Sequence, residues 1–200
     1  MENTNEDTLQ AYESNAHEYI VGTPHEITGD VKKWVDKTLD GLPTDAKIFE
    51  IGSAFGRGAT YIESQGYTVQ RSDAVRSFVD YLVENGDEAQ MFNLITDEFV
   101  DTYDLIFADA VLLHLTKQEV KTALAKIKAA LNRGGKFSFS LKKGEGDEWS
   151  GAKLGAPRYF SYWQLEEITA ELKVAGFTEL VVVEGNQGRS NSEWLQIIAS

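Results

Sequence analysis

The stretch IFEIGSAFGRG at residues 48–58 is an apolar run that ends in closely spaced glycines. The run at residues 47–51 predicts a buried strand, and residues 56–65 have the apolar spacing of a helix. Glycines at such a turn let a ligand approach the backbone closely. Because ligands of open α/β sheets lie outside the carboxyl ends of the strands, this stretch predicts a strand–loop–helix unit with a binding site in its loop.

Outward from this unit, strands and helices alternate along the chain. We predict further helices at residues 5–20, 28–41, 75–85, 118–131 and 164–175, and further strands at residues 68–71, 89–94, 104–108, 136–141, 177–184 and 193–199. Strands separated by helices favour right-handed crossovers and a mostly parallel sheet. The last two strands are joined by a turn at residues 185–191 without a helix, which implies one antiparallel strand. The predicted fold class is therefore α/β, with a seven-stranded mostly parallel sheet, its last strand antiparallel, and helices on both faces.

The composition limits the partners and the compartment. The formal net charge is −13, and Lys142 and Lys143 form the only dense basic pair near the expected site, which disfavours nucleic acids and anionic membranes as partners. The chain contains no cysteine, which excludes disulfides, thiolate metal sites and cysteine nucleophiles. The acidic and polar residues 1–10 are unlike a secretory signal. We therefore expect a cytoplasmic protein that acts on a small molecule.

The nature of the ligand depends on Glu50, which lies two residues before the first glycine of the loop. A dinucleotide-binding loop has the pattern G-x-G-x-x-G, and from Gly52 that register places Ala54 second and Arg57 third, a poor fit. A carboxylate at Glu50 can instead hold an ammonium group. That favours S-adenosylmethionine, which has an amino acid end and no phosphate, over NAD. Asp73, 21 residues after Gly52, can accept hydrogen bonds from the ribose hydroxyls of either cofactor.

Several segments carry a resemblance to a known family: FEIGSAFGRG (49–58), SDA (72–74), YDLIFADAVLLHL (103–115), LNRGGKF (131–137) and AGF (175–177). Over nearly its whole length the chain resembles class I S-adenosylmethionine-dependent methyltransferases, which implies a Rossmann-like fold. SLKKGEGDEW (140–149) and RYFSY (158–162) are similar to a bacterial branch of small methyltransferases with mostly unassigned substrates. Ala54 departs from the family's usual middle glycine. Since alanine is small, we expect cofactor binding with slightly less room under the methionine backbone.

The resemblance implies a set of cofactor-binding residues: Tyr19, Glu50, Gly52, Ser53, Ala54, Gly56, Asp73, Ala74, Asn93, Leu94, Asp109 and Ala110. In that family the glycine loop lines the methionine part, and the acid after the second strand holds the ribose. The residues after the third strand flank the adenine, and those after the fourth lie near the sulfonium. The N-terminal segment, here residues 1–41, often forms a lid. Tyr12 and Tyr19, seven residues apart, share a face of that segment, although ordinary packing of an amphipathic helix would explain them as well.

His114 is the candidate catalytic residue. Methyl transfer from a sulfonium needs no acid, and it needs a base only if the attacking group must lose a proton. His114 lies six residues beyond Ala108, near the expected cofactor, and its ordinary pKa is close to neutrality. It is either a general base or substrate contact, or a packed residue beside Leu113 and Leu115. His17 and His25 are expected at the surface, and the spacing of the three histidines predicts no metal site.

The acceptor is expected to bind near a glycine-rich loop at residues 144–155. Predicted substrate contacts are Tyr12, His114, Lys143, Arg158, Tyr159 and Tyr162. Arg158 could bind a substrate carboxylate with its planar fork, or it could pair with Glu145 or Asp147 and order the loop.

The sequence therefore predicts one methyltransferase domain over residues 1–200, with a lid at 1–41 and a substrate-side loop at 144–163. It would use S-adenosylmethionine to methylate O or N of a small molecule, and Arg158 favours an acidic one. Two alternatives stay open: an NAD(P)-dependent oxidoreductase on a similar sheet, and a non-catalytic nucleoside-binding module.

Overall fold

The computed structural model describes residues 4–185 and 193–200. The helices are α1 (Thr4–Ser14), α2 (Ala16–Gly22), α3 (Gly29–Leu39), α4 (Arg57–Ser64), α5 (Arg76–Glu84), α6 (Lys117–Ala129) and α7 (Leu165–Val174). The strands are β1 (Ile48–Ile51), β2 (Val69–Asp73), β3 (Ala89–Met91), β4 (Tyr103–Ala108), β5 (Leu131–Lys142), β6 (Asp147–Ser150), β7 (Arg158–Ser161), β8 (Leu180–Gly185) and β9 (Trp194–Ala199).

A seven-stranded sheet has the order β3-β2-β1-β4-β5-β9-β8. The pairs from β3 to β5 are parallel, whereas β9 lies antiparallel to both β5 and β8. The predicted seven-stranded α/β sheet with a reversed last strand is confirmed. The predicted turn between β8 and β9 lies, from residue 186 to residue 191, outside the described residues.

Helices cover both faces of the sheet, and strand β4 shows why. Its sequence YDLIFA is almost continuously apolar, as is typical of a parallel strand buried on both faces. Successive side chains of a strand point to opposite faces. On one face Phe107 stacks on Trp34 of α3, with ring centroids 4.9 Å apart. On the other face Ile106 belongs to the apolar cluster that contains Leu124 of α6 and Ile168 of α7.

Two predicted segments differ from the structure. The helix expected at residues 5–20 is divided into α1 and α2 at Asn15, which has φ −133° and lies outside the helical region. The glycine-rich stretch at 144–163, expected to be a loop, contains a two-stranded antiparallel sheet of β6 and β7. That prediction was wrong because Arg158 and Ser161 are buried in β7 although both are polar. No apolar alternation therefore marked the strand.

Among the described residues, no helix is long and apolar enough to cross a membrane. The cytoplasmic location stays a prediction.

Candidate functional site

The glycine loop after β1 turns sharply at the carboxyl edge of the sheet. Gly52 and Gly56 have φ angles of +71° and +87°, in the left-handed region that favours glycine. A Cβ at Gly52 would collide with the side chain of Val111. Ala54 adopts φ +49° in the same loop although it carries a Cβ. The loop thus brings the backbone of Gly52 and Ala54 to the edge where a ligand would lie.

A cavity with about 700 Å³ of empty space, including its open mouth, lies between this loop and the N-terminal helices. Eleven of the predicted site residues line it: Tyr12, Tyr19, Gly52, Ala54, Asp73, Ala74, Asn93, Leu94, Asp109, Ala110 and His114. They come from the lid helices and from the ends of β1, β2, β3 and β4, so the topology of the sheet gathers them. Their roles stay predictions, but the structure places them around one cavity.

Asp73 lies at one end of the cavity, at the carboxyl end of β2. Its Oδ2 accepts the backbone N–H of Ala54 at 2.8 Å, and its Oδ1 accepts that of Val75 at 2.9 Å. Burial raises the pKa of Asp73 to about 6, although these hydrogen bonds favour the ionised form. The apolar side chains of Phe78 and Phe92 line the same end. This combination of a fixed carboxylate and an apolar slot suits a ribose and its base.

Glu50 lies outside the cavity lining, beneath the glycine loop. It is 3% exposed, and its carboxylate interacts with the side chain of Ser53 and the backbone N–H of Ala59. Burial raises the pKa of Glu50 to about 7, and its Oε2 is buried without a partner among the described residues. A Cβ at Gly58 would collide with this carboxylate. Glu50 therefore packs beneath the start of α4, where it interacts with Ser53. Gly56 forms the N-cap of α4, behind the cavity.

Asp109 lies at the opposite end of the cavity, after β4. Its Oδ2 accepts Nη2 of Arg57 at 2.9 Å, and its Oδ1 accepts Oγ of Ser140 at 2.7 Å. The Ser140 hydroxyl in turn accepts the backbone N–H of Ala110 at 2.8 Å, where Ala110 has φ +58°. The Asp109 carboxylate is thereby fixed between two donors at the mouth of the site.

A directional chain of hydrogen bonds crosses the side of the cavity that Tyr12 and His114 line. The methyl acceptor is expected on this side, which is called the acceptor side below. The Tyr159 carbonyl can only accept, so Nδ1 of His114, 2.7 Å away, carries the ring proton. Nε2 of the neutral ring then accepts the Tyr12 hydroxyl at 2.8 Å. The Tyr12 oxygen accepts Nη1 of Arg158 at 2.9 Å. The chain joins the lid, the turn after β4 and strand β7.

The hydrogen bonding of His114 argues against the predicted role of general base. Burial lowers the pKa of His114 to about 3, and the positive charges of Arg158 and Lys142 act in the same direction. Both ring nitrogens are engaged in the chain. A lowered pKa keeps the ring neutral at neutral pH, and His114 here accepts the hydrogen bond that orients Tyr12.

Four predicted substrate contacts do not line the cavity. Arg158 is buried behind Tyr12, with its guanidinium 5.1 Å from the Tyr12 ring centroid and 5.2 Å from that of Phe160. It forms no salt bridge with a described residue, so the alternative pairing with Glu145 or Asp147 is not found. Tyr159 contributes its carbonyl to the chain. The other two predicted substrate contacts bind acidic side chains outside the cavity lining. Lys143 pairs with Glu193 at 2.9 Å, and Tyr162 donates to Glu148 at 2.6 Å.

The lid is held by hydrogen bonds to several elements. The Thr8 hydroxyl accepts the backbone N–H of Tyr159 at 3.0 Å, and the Glu13 carboxylate accepts the Ser77 hydroxyl at 2.5 Å. Thr8 also lines the cavity and was missed by the sequence interpretation. Its spacing of four residues from Tyr12 was a signal that could have found it, since residues i and i+4 share a helix face.

Lys153, in the loop between β6 and β7, was also missed. Its Nζ lies 3.9 Å from the ring centroid of Tyr19 and donates to the Thr23 hydroxyl at 2.7 Å. Burial of this ammonium group, together with repulsion by Arg158 and Arg57, lowers its pKa to about 8. Nothing in the local sequence marks an exposed loop lysine as part of a site.

The other two histidines lie away from the cavity lining. His17 and His25 are exposed, as expected. No cluster of histidine and carboxylate side chains suitable for a metal ion occurs in residues 4–185 and 193–200.

The family described as "Tellurite resistance protein TehB" matches residues 25–148 of the chain, which is more than half of its length. No protein with a curated function matches the chain in sequence.

Solved structures share the fold. A Burkholderia thailandensis 1,6-didemethyltoxoflavin-N1-methyltransferase, with 1,6-didemethyltoxoflavin and S-adenosylhomocysteine bound, is 18% identical, and the match covers 100% of this chain and 90% of that one, with a TM-score of 0.78. A structure described as a DhpI-SAM-HEP complex is 15% identical, with 98% and 99% covered and a TM-score of 0.73. A TehB-like SAM-dependent methyltransferase from Corynebacterium glutamicum is 20% identical, with 98% and 99% covered and a TM-score of 0.66.

Proposed function

The chain belongs to the tellurite resistance protein TehB family, and from this premise we propose that it transfers a methyl group to oxygen or nitrogen of a small, acidic molecule. S-adenosylmethionine-dependent methyl transfer, predicted from the sequence, is confirmed by the family together with the methyltransferase fold. The methyl acceptor and the roles of individual residues are our proposal.

The observation that carries the proposal is that the cavity lining changes along its length, from apolar side chains beside the Asp73 carboxylate to backbone at Gly52. The apolar slot beside Asp73 would hold the adenosine, with the carboxylate on the ribose hydroxyls and with Asn93 and Leu94 at the base. The backbone of Gly52, which lines the cavity and packs too closely against Val111 to carry a side chain, would lie against the methionine end. When bound, S-adenosylmethionine supplies an electrophilic methyl group and a neutral leaving group.

The chain's own residues would then exclude water and direct the acceptor. Tyr12 and Tyr19 lie edge to face over the cavity, with ring centroids 5.4 Å apart. Asp109, fixed by Arg57 and Ser140, closes the other side. An acceptor admitted between these groups would be held close and in line, which is the main requirement of a methyl displacement.

Proton removal does not depend on His114 in this proposal. Its low pKa leaves the ring neutral, with both nitrogens already hydrogen-bonded. The acceptor would therefore attack through a lone pair that is free at neutral pH, or lose its proton to water as the new bond forms. An ionised or neutral acceptor group meets this requirement without a protein base.

The first experiment is thermal melting of the purified protein with S-adenosylmethionine, S-adenosylhomocysteine or NADH. A ligand at 100 times its dissociation constant adds about 2.7 kcal/mol, which raises Tm by roughly 5–10 °C at this size. We expect a shift with the first two ligands and none with NADH. A shift with NADH alone would favour an oxidoreductase, and no shift with any ligand would favour a module without this cofactor.

The second experiment follows S-adenosylhomocysteine production with a panel of acceptors. The panel contains small carboxylic acids, their neutral amides, and tellurite, because the family is named for tellurite resistance. We expect turnover with at least one acidic organic acceptor. Turnover confined to neutral acceptors would contradict the proposal, and turnover with tellurite alone would replace the organic acceptor by an inorganic one.

A further inference from the structure

Three cations lie around the acceptor side of the cavity, outside its lining. Arg158 comes from β7, Lys142 from the end of β5, and Lys153 from the loop between β6 and β7. No salt bridge is found for any of them within residues 4–185 and 193–200.

Each cation lies against an aromatic ring instead. Lys153 covers the ring of Tyr19 at 3.9 Å, and Lys142 lies 4.1 Å from the ring centroid of Phe160. Arg158 lies between the rings of Tyr12 and Phe160. A cation on a ring face is stabilised by the ring quadrupole and keeps its charge available to a ligand. Lys153 is exposed and can reach an anion that enters beside the tyrosines, whereas Arg158 lies behind Tyr12 and contributes its positive charge at a distance.

Arg158 supplies a second, independent sign of a ligand. Its side chain is 4% exposed, and its Nε is buried without a hydrogen-bond partner among the described residues. A buried charged group without a full set of partners is costly. Its single hydrogen bond, to the Tyr12 hydroxyl, satisfies only part of the guanidinium. An anion nearby would offset this cost.

The three cations also act on the residues that line the cavity. The charges of Arg158 and Lys142 lower the pKa of His114, and Arg158 acts on Tyr19 as well. Lys153 contacts Tyr19 directly, and the Tyr12 and Tyr19 rings touch. The cationic group is therefore continuous with the predicted acceptor side and is not a separate surface patch.

We propose that the methyl acceptor carries a carboxylate that binds against Lys153, in the positive field of the buried Arg158, and that Lys153 determines specificity for anionic acceptors. This inference rests on the proposed function, since it assigns a charge and a binding residue to the same acceptor. Lys153 is in a position to do this because its loop closes onto α2, where Thr23 fixes its ammonium group. Arg57 is less available, since it pairs with Asp109.

The test uses the full chain saturated with S-adenosylhomocysteine and titrated by calorimetry at constant ionic strength. The probes are sodium succinate and its neutral counterpart succinamide. The variants are Lys153→Met, which keeps the aliphatic stem on the Tyr19 ring, and Lys173→Met, which removes an exposed lysine of α7 and changes the net charge equally. We expect succinate to bind and succinamide to bind more weakly. We expect Lys153→Met to lower succinate affinity about tenfold, the equivalent of about 1.4 kcal/mol.

Three results would overturn the proposal: equal binding of succinate and succinamide, unchanged succinate affinity in Lys153→Met, or an equal loss in Lys173→Met. Binding of S-adenosylhomocysteine itself, measured first in the same cell, separates this failure from failure of the proposed function. If the cofactor product binds and succinate does not, only the acceptor assignment fails. If the product does not bind, the proposed function fails as well.

Discussion

The Tyr12 hydroxyl is the central member of the hydrogen-bond chain, and Tyr12→Phe removes it without changing the ring. The substitution leaves Nε2 of His114 without its donor and Nη1 of Arg158 without its acceptor. A hydrogen bond between neutral groups contributes about 0.5–1.5 kcal/mol, and one to a charged group about 1.5–3 kcal/mol. The expected loss of stability is therefore roughly 3 kcal/mol, or about 6–12 °C in Tm at this chain length.

Tyr19→Phe is the matched control for this measurement. Tyr19 lines the same cavity, and its ring lies edge to face against that of Tyr12. No hydrogen bond of its hydroxyl is found with a described residue, so its removal should change Tm by little. Urea denaturation of both variants, followed by circular dichroism at neutral pH, gives the two free energies of unfolding. If Tyr12→Phe and Tyr19→Phe prove equally stable, the hydrogen-bond chain contributes nothing and the argument for it is wrong.

Three further predictions concern single residues. Asp73→Ala should weaken S-adenosylhomocysteine binding in calorimetry by at least about tenfold, since the ribose would lose a charged acceptor; unchanged affinity would contradict the assigned role. Ala54→Gly should raise the free energy of unfolding in urea by about 0.5–1 kcal/mol, because relief of roughly 1–2 kcal/mol of left-handed strain exceeds the entropy cost of glycine; a loss would show that the strain estimate is wrong. The His114 imidazole, with its pKa lowered to about 3, should show no titration by NMR between about pH 5 and 8. The stability that the neutral ring contributes is present above pH 6.5, the ordinary histidine pKa, and is lost as the pH falls toward 3.

The parts of the fold that the sequence predicted correctly depend on local and repeating signals. The alternation of apolar strands with helices gave the parallel sheet, and the missing helix between the last two strands gave the reversal at β9. Residues at strand ends, such as Asp73 and Asp109, were brought to one cavity because parallel strands end at one edge of the sheet. Sheet topology therefore places the predicted cofactor-binding residues that follow strand ends, such as Asp73 and Asp109.

The parts that the sequence missed depend on tertiary contacts. Strand β7 buries Arg158 because the ring of Tyr12 in α1 and that of Phe160 in β7 itself cover its guanidinium, and no local pattern announces the distant partner Tyr12. Lys153 joins the site only because its loop folds back on α2. His114 was interpreted from its ordinary pKa, whereas burial and the neighbouring cations lower that pKa. The acceptor side is built from segments distant in sequence, and its chemistry is correspondingly hard to predict.

Two alanines in left-handed backbone, Ala54 and Ala110, show how this fold holds strain at its site. Each costs roughly 1–2 kcal/mol relative to glycine, and each lines the cavity, one after β1 and one after β4. In both cases the strained residue donates its backbone N–H, at 2.8 Å, to a side chain of a neighbouring strand: Ala54 to Asp73 of β2, and Ala110 to Ser140 of β5. Such strain persists only where the surroundings fix the backbone. The two side chains that fix it also form the two ends of the site, because Asp73 faces the adenosine slot and Ser140 holds Asp109. Substitution of either side chain should therefore alter the loop conformation as well as remove a polar contact.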